Sequence, residues 1–243
     1  MEESDGAGIV IIKVGTSTII KDGKLNEAVM EALADDVAQL WKQGRKVVIV
    51  TSGARMLGME GIDNPNTATA VGQGELIEYY KDLFRPKGIK IGQLLVESTH
   101  FDVDSDNQQT GVIHALEGGL RNNVLMVVNE NDPLATPETT MGNNDPLTAK
   151  IAIGLKEKGH NVELVVFMSV KDTGPGEISM GKGGAQAKAV AMTDMDVHGI
   201  VSVVVQGREN HVVLALFQPD MEVFKSAFRA AHEIRQKHLA CAF

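Results

Sequence analysis

Residues 124–132 read Val-Leu-Met-Val-Val-Asn-Glu-Asn-Asp, and further on Gly142-Asn143-Asn144-Asp145 opens an apolar stretch from Pro146 to Leu155. Val124 to Val128 has the continuous hydrophobicity of a strand buried on both faces. Asn and Asp are poor helix and strand formers, so packing alone does not select them where this strand ends and the next helix begins. Open α/β sheets hold their ligands at the carboxyl ends of strands, next to helix N-termini. The two segments therefore mark a pocket for a small charged substrate. Helix capping by Asn144 or Asp145 accounts for one of these residues but not for both clusters.

The same pattern repeats on either side. Ile9–Val14 and Lys46–Val50 (KVVIV) read as buried strands, broken by Gly15-Thr16-Ser17 and by Thr51-Ser52-Gly53-Ala54. Between them Leu25, Val29, Leu33, Val37 and Leu40 share one face of a helix over 25–43 that Gly44 stops. Residues 60–67 read as a polar loop, 68–84 as a helix, 90–96 as a third strand and 108–120 as a helix. After the fourth strand, 134–141 reads as a small hairpin, 145–158 as a helix and 163–168 as a fifth strand. Residues 171–184 read as a loop, 185–195 as a helix, 200–205 and 211–217 as strands, and 219–238 as a closing helix. Buried strands alternating with helices predict a three-layer αβα sandwich with a mostly parallel central sheet. No repeat, low-complexity tract or linker interrupts the chain, so one domain over 1–243 is expected.

Composition narrows the partners. The chain carries a formal net charge of −9 and no basic stripe, which argues against nucleic acid, whose binding needs clustered Lys and Arg. Its apolar runs are too short to span a membrane. The acidic start, Met1-Glu2-Glu3-Ser4-Asp5, lacks the basic flank of a signal peptide. Cys241 is the single cysteine, so neither an intrachain disulfide nor a thiolate metal site can form. A reducing cytoplasm is the expected location. The histidines show no metal-ligand spacing, and no protein metal site is expected.

Several short segments carry chemistry. Lys13-Val14-Gly15-Thr16-Ser17 ends a strand with a glycine that lets backbone amides approach a phosphate and a lysine that adds positive charge; read alone it is equally a strand ending in a turn. Ser52 offers a hydroxyl and Gly53 an amide to a substrate carboxylate, although a Ser-Gly pair is commonly an ordinary turn. Asp132, Asn144 and Asp145 supply the carboxylates and carbonyls that an ammonium group requires. Gly181-Lys182-Gly183-Gly184 with Lys188 beyond it resembles a phosphate loop opening a helix, without the spacing of a Walker motif. A flexible glycine loop is the other reading.

Taken in order, IKVGTS (12–17), VIVTSGA (48–54), AVGQ (70–73), GIKIGQLL (88–95), VVNENDPLAT (127–136), GNNDPLTA (142–149) and GKGGAQAK (181–188) resemble the amino acid kinase family, and within it the glutamate 5-kinases. The resemblance covers nearly the whole chain. It implies transfer of the γ-phosphoryl group of ATP to the side-chain carboxylate of glutamate, the first committed step toward proline, with Mg²⁺ bridging the phosphates. It implies that Lys13 contacts the phosphates, that Gly15 and Thr16 line their site, and that Lys188 sits on the β- and γ-phosphates. Ser169, Gly183 and Gly184 fall at further nucleotide positions. Ser52, Gly53, Asp132 and Asn144 are then the amino-acid site, and Asp145 orients the catalytic lysines. The resemblance also implies a homo-oligomer associating through helices that flank the sheet.

The chain departs from the family pattern on the nucleotide side. Ser169-Val170 stands where the family has Thr-Asp, and the Gly-Leu-Tyr and Asp-Pro segments beyond it are missing. The arginine-rich stretch is lacking over 102–112, and the C-terminal RNA-modification-type domain of many bacterial members is not expected here. Two other readings therefore stay open: a divergent paralogue with another acceptor, and a non-catalytic protein of this fold that binds a ligand or forms assemblies.

Overall fold

β1 (Ile9–Val14) lies in the interior of the sheet with every residue buried, which is why it reads as an unbroken apolar run apart from Lys13. The computed structural model describes residues 8–101, 106–134, 144–170 and 184–218. After β1 come a single helical turn, α1 (Thr16–Ile19), and a two-stranded hairpin, β2 (Ile20–Lys21) and β3 (Lys24–Leu25). Then follow α2 (Glu27–Lys42), β4 (Lys46–Val50), the short α3 (Ala54–Leu57) and α4 (Pro65–Phe84). β5 (Lys90–Val96), α5 (Asp106–Arg121) and β6 (Val124–Glu130) lead to α6 (Asn144–Glu157) and β7 (Val162–Ser169). α7 (Gly184–Val197), β8 (Ser202–Gln206) and α8 (Val212–Ala215) complete the described chain.

Among the described residues the main sheet has six strands in the order β5-β6-β4-β1-β7-β8, and all neighbours pair in parallel. The predicted three-layer architecture is the one observed. Alternate residues of β1 face opposite layers. Val10, Ile12 and Val14 join a core with α2, α4 and α8, whereas Ile9 and Ile11 join one with α5, α6 and α7. Because every strand runs the same way, the carboxyl ends of β1, β4, β6 and β7 share one edge of the sheet, and the candidate residues lie on it.

The strand expected at 211–217 is instead the short helix α8. Its start is built by a residue far away in sequence. The Asp36 carboxylate of α2, only 1% exposed, accepts hydrogen bonds from the backbone N–H of Val213 (3.1 Å) and Leu214 (3.0 Å) and lies 2.8 Å from His211 Nδ1. Such a cap satisfies amides that a helix leaves without partners. No local pattern signals it, and the apolar run VVLALF suits a strand equally well. The polar loop read over 60–67 also ends early. The Asn64 side chain caps α4 through Thr67 N–H (2.9 Å), and Pro65 takes the first turn, where its missing N–H costs nothing. Most of the hairpin read over 134–141, the loop over 171–184 and the whole of the helix over 219–238 lie outside the described residues.

α3 and α4 touch backbone to backbone. A Cβ on Gly72 would overlap the Ala54 carbonyl, and one on Gly58 would overlap the Ala68 carbonyl. These glycines are required by close approach rather than by a turn. Their contact lays α4 against the chain that leaves β4, which brings Gln73 and Tyr80 of α4 toward the sheet edge.

Candidate active site

Lys13 is the next-to-last residue of β1, and its Nζ lies 2.7 Å from Asp145 Oδ1 in the first turn of α6. Lys13 is 8% exposed and Asp145 1%. Burying a lone ammonium or carboxylate is prohibitively costly, so each ion accounts for the presence of the other. Gly15 follows β1, and a Cβ there would stand 3.7 Å from Lys13 Nζ, so the ammonium lies against bare backbone. Gly15 N–H reaches the Met168 carbonyl at 3.4 Å, and Thr18 Oγ1 donates to the same carbonyl at 3.1 Å. These bonds tie the end of β1 to the end of β7. Thr16 is half-buried at the start of α1.

Lys188 approaches from α7. Its Nζ donates to Ser169 Oγ at 3.0 Å, at the end of β7. Burial lowers its ammonium pKa, the Asp145 carboxylate raises it, and the Lys13 ammonium lowers it further. Lys188 therefore shares an electrostatic neighbourhood with both members of the buried pair. Two cations face one carboxylate there, which leaves an excess of positive charge for an anion. Gly184 opens α7, and Gly183 lies outside the described residues.

The second half of the site is a chain of amides. Asn144 Nδ2 donates to the Thr51 carbonyl, to Asn129 Oδ1 (2.8 Å) and to Ser52 Oγ (3.1 Å). Asn129 Oδ1 also accepts from Glu130 N–H (2.9 Å), and Asn129 Nδ2 donates to Gln73 Oε1 (2.7 Å). Thr51 Oγ1 and the buried Tyr80 hydroxyl are 2.9 Å apart, which pins the chain just before Ser52. Gly53 has φ 97°, and a Cβ there would meet Ile19 Cδ1 at 3.1 Å, so this turn both favours glycine and leaves little room for anything larger. Asn144 Oδ1 is buried and has no hydrogen-bond partner among the described residues.

Asp132 sits beyond the end of β6. Burial pushes its carboxyl pKa up to about 6, the nearby Glu130 carboxylate pushes the same way, and Arg55 opposes them. Arg55 lies on α3, so the chain leaving β6 and the helix leaving β4 are electrostatic neighbours. Asn66 Nδ2 donates to the Pro133 carbonyl at 3.1 Å and draws the start of α4 to the same segment.

Lys13, Asp145 and Lys188 thus come together, as do Ser52 and Asn144, whereas the charged neighbours of Asp132 beyond β6 are Glu130 and Arg55. Among the described residues no group of three or more His, Cys, Asp or Glu could hold a metal ion. The donor set suits a cation carried on phosphate oxygens, since Mg²⁺ commonly takes only one or two protein carboxylates. Tyr80 and Arg55 were not among the sequence candidates, whereas Asn129, Thr51 and Gln73 lay in segments that the sequence singled out without a role of their own. One signal for Gln73 was available: it is a polar residue on the helix face otherwise made by Ala68, Gly72, Leu76, Ile77 and Tyr80.

The sequence profile of the amino acid kinase family matches residues 8–168. The glutamate 5-kinase of Vibrio vulnificus is 31% identical over an alignment covering 86% of this chain and 64% of that protein. That of Moorella thermoacetica is 38% identical, covering 68% of this chain and 44% of the relative. The chain therefore spans a little under two thirds of the length of the Vibrio relative. Among solved structures, an isopentenyl phosphate kinase matches with a TM-score of 0.60 at 13% identity, covering 85% of this chain and 94% of the other. The product complex of the T. acidophilum isopentenyl phosphate kinase matches with a TM-score of 0.61 at 12% identity, covering 89% and 97%. At such identities the likeness is one of fold.

Proposed function

The chain belongs to the amino acid kinase family, and from that premise we propose that it transfers the γ-phosphoryl group of ATP to the side-chain carboxylate of glutamate. The observation that carries this reading is the buried Lys13–Asp145 pair sharing its field with Lys188, beside a nook of amides. Both reactants are anions and repel each other. Two ammonium groups and exposed backbone offset that repulsion and hold the reacting atoms in line. Lys13 and Lys188 contact the phosphates, Gly15 and Thr16 line them, and Asp145 orients the lysines. Ser169, Gly183 and Gly184 belong to the nucleotide side. Ser52, Gly53, Asp132 and Asn144 hold the amino acid.

A carboxylate oxygen attacks the γ-phosphorus and forms a new P–O bond. The bond from that phosphorus to the β–γ bridging oxygen breaks, and ADP leaves with the electron pair. The nucleophile is already ionised at neutral pH, so no general base is needed. Mg²⁺ bound with the triphosphate would supply further positive charge against that of the leaving ADP.

The products are ADP and an acyl phosphate, which hydroxylamine converts to a hydroxamate. Incubation with ATP, Mg²⁺, glutamate and hydroxylamine should give γ-glutamyl hydroxamate in step with ADP. A folded protein that binds ATP and forms none contradicts the glutamate assignment. A second reading keeps the phosphoryl transfer and changes the acceptor, because solved structures of this fold include isopentenyl phosphate kinases. ADP release with isopentenyl phosphate but not with glutamate would favour it.

A further inference from the structure

A second concave surface lies between α2, α8 and the turn Arg85–Lys87 that follows α4. It is on the opposite layer of the sheet from α6 and α7, which carry Asp145 and Lys188. Its volume is about 540 Å³, within the range of small-molecule sites. Buried Ala38 of α2 and half-buried Leu214 of α8 give it an apolar floor. Its rim carries Lys42, Lys87 and His211 against one lining carboxylate, Asp35. On a chain of formal net charge −9 that local balance runs against the whole. Two of the three rim groups are held in place. The Lys87 ammonium pairs with Asp35, and its side chain is only 25% exposed. His211 has a left-handed backbone (φ 57°), and its Nδ1 lies 2.8 Å from the buried Asp36 carboxylate, which two amides of α8 anchor. A carboxylate accepts, so Nδ1 carries a proton and Nε2 is the nitrogen left to a ligand. A half-exposed imidazole is ordinarily free to turn, whereas this one is oriented from the core beneath it.

We infer that this groove is an accessory binding site for a small phosphate monoester with a short apolar body. Lys42, Lys87 and His211 stand on three separate elements around one space. A tetrahedral head with three terminal oxygens can meet groups from three directions, which the two oxygens of a planar carboxylate cannot. The second ionisation of a phosphate monoester lies near neutrality, at about 6. Nε2 can therefore donate to a phosphate oxygen when the ring is protonated, or accept from a phosphate O–H when it is neutral. The ester's carbon chain covers Ala38 and Leu214. The site shares no residue with the proposed phosphoryl-transfer centre, and the inference does not depend on which acceptor that centre uses.

The test titrates n-butyl phosphate into the full chain and follows the side-chain resonances of His211 and Leu214. A non-hydrolysable ATP analogue and Mg²⁺ are present, so that the proposed phosphate end is already filled. Saturable shifts at both residues are expected. Inorganic phosphate should bind about fivefold or more weakly, because it leaves the apolar floor uncovered. Pentanoate, with a similar body and a planar head, should also bind more weakly, and butylammonium should not bind. Lys42→Glu and Lys87→Met should each weaken butyl phosphate by about threefold or more, the scale of one partly exposed charge contact. Lys90→Glu makes the same change of charge as Lys42→Glu on the far edge strand β5 and should leave the affinity as it was. Should Lys87→Met not fold for want of its Asp35 pair, the exposed Lys42 still carries the comparison. The absence of saturable shifts at His211 and Leu214, tighter binding of pentanoate, or equal losses in Lys42→Glu and Lys90→Glu overturns the inference. None of these outcomes bears on hydroxamate formation, and a protein that forms no hydroxamate still gives its own answer at His211.

Discussion

The two ends of the site are built differently. At the proposed acceptor end the amides and hydroxyls are tied to one another: Gln73 to Asn129, Asn129 to Asn144, Asn144 to Ser52 and Thr51, Thr51 to Tyr80. At the proposed phosphate end two lysines meet one buried carboxylate, and Lys188 also donates to the Ser169 hydroxyl. The first end is shaped before any ligand arrives. The second is an arrangement of charge with a surplus of cations. Recognition of a small amino acid calls for fixed geometry, whereas a phosphoryl group in transit calls mainly for positive potential.

If that contrast holds, damage at the phosphate end should strike rate and damage at the acceptor end should strike affinity. Lys13→Met should have the largest effect. Turnover should fall by about 10²–10³-fold, the scale of removing one preorganised electrostatic group. Stability should fall by about 1–3 kcal/mol, because Asp145 loses its direct ion pair and keeps Lys188 as a charged neighbour. Steady-state kinetics and chemical denaturation measure the two effects, and a variant that is merely destabilised would count against the role of Lys13. Gly72→Ala comes next. Its Cβ would overlap the Ala54 carbonyl, so α3 and α4 must part at a cost of about 1–3 kcal/mol. In the folded fraction KM for the acceptor should rise more than KM for ATP, since α4 carries Gln73.

Asp36→Ala tests whether the contrast belongs to the site or to any buried polar group. It removes the acceptor for two backbone amides of α8 and should cost about 1–3 kcal/mol in denaturant melts, with turnover per folded molecule unchanged. The smallest effect concerns pH. The folded protein holds the Asp132 proton up to about 6, above the ordinary value of 3.8, so it binds more protons than the unfolded chain between those values. Stability contributed by this group is therefore present at low pH and is lost as pH rises through about 6, and Asp132→Asn should remove that slope. Over the same interval acceptor affinity should increase with pH as the carboxylate gains its charge, whereas ATP affinity should not follow it.

Much of the fold was legible because parallel strands buried on both faces announce themselves as unbroken apolar runs, and the breaks after Val14 and Val50 locate the active edge. The phosphate-end residues were legible for a related reason: Lys13 interrupts an apolar strand, and Asp145 opens an apolar helix. What stayed hidden depends on tertiary partners. α8 is a helix because Asp36, on another helix, caps it. Gln73 reads as one polar residue on a long helix until Gly72 and Gly58 let that helix approach the chain leaving β4. The amide chain is assembled from four separate stretches of sequence, and no local pattern joins them.

The central claim is that Lys13 and Lys188 converge on one transferring phosphoryl group next to the acceptor carboxylate. A crystal structure with a non-hydrolysable ATP analogue, Mg²⁺ and glutamate measures this directly. The account predicts both Nζ atoms within about 2.7–3.2 Å of phosphate oxygens, and a glutamate carboxylate oxygen facing the γ-phosphorus from the Ser52–Asn144 side. A triphosphate seated away from either lysine, or a glutamate bound elsewhere, would contradict it.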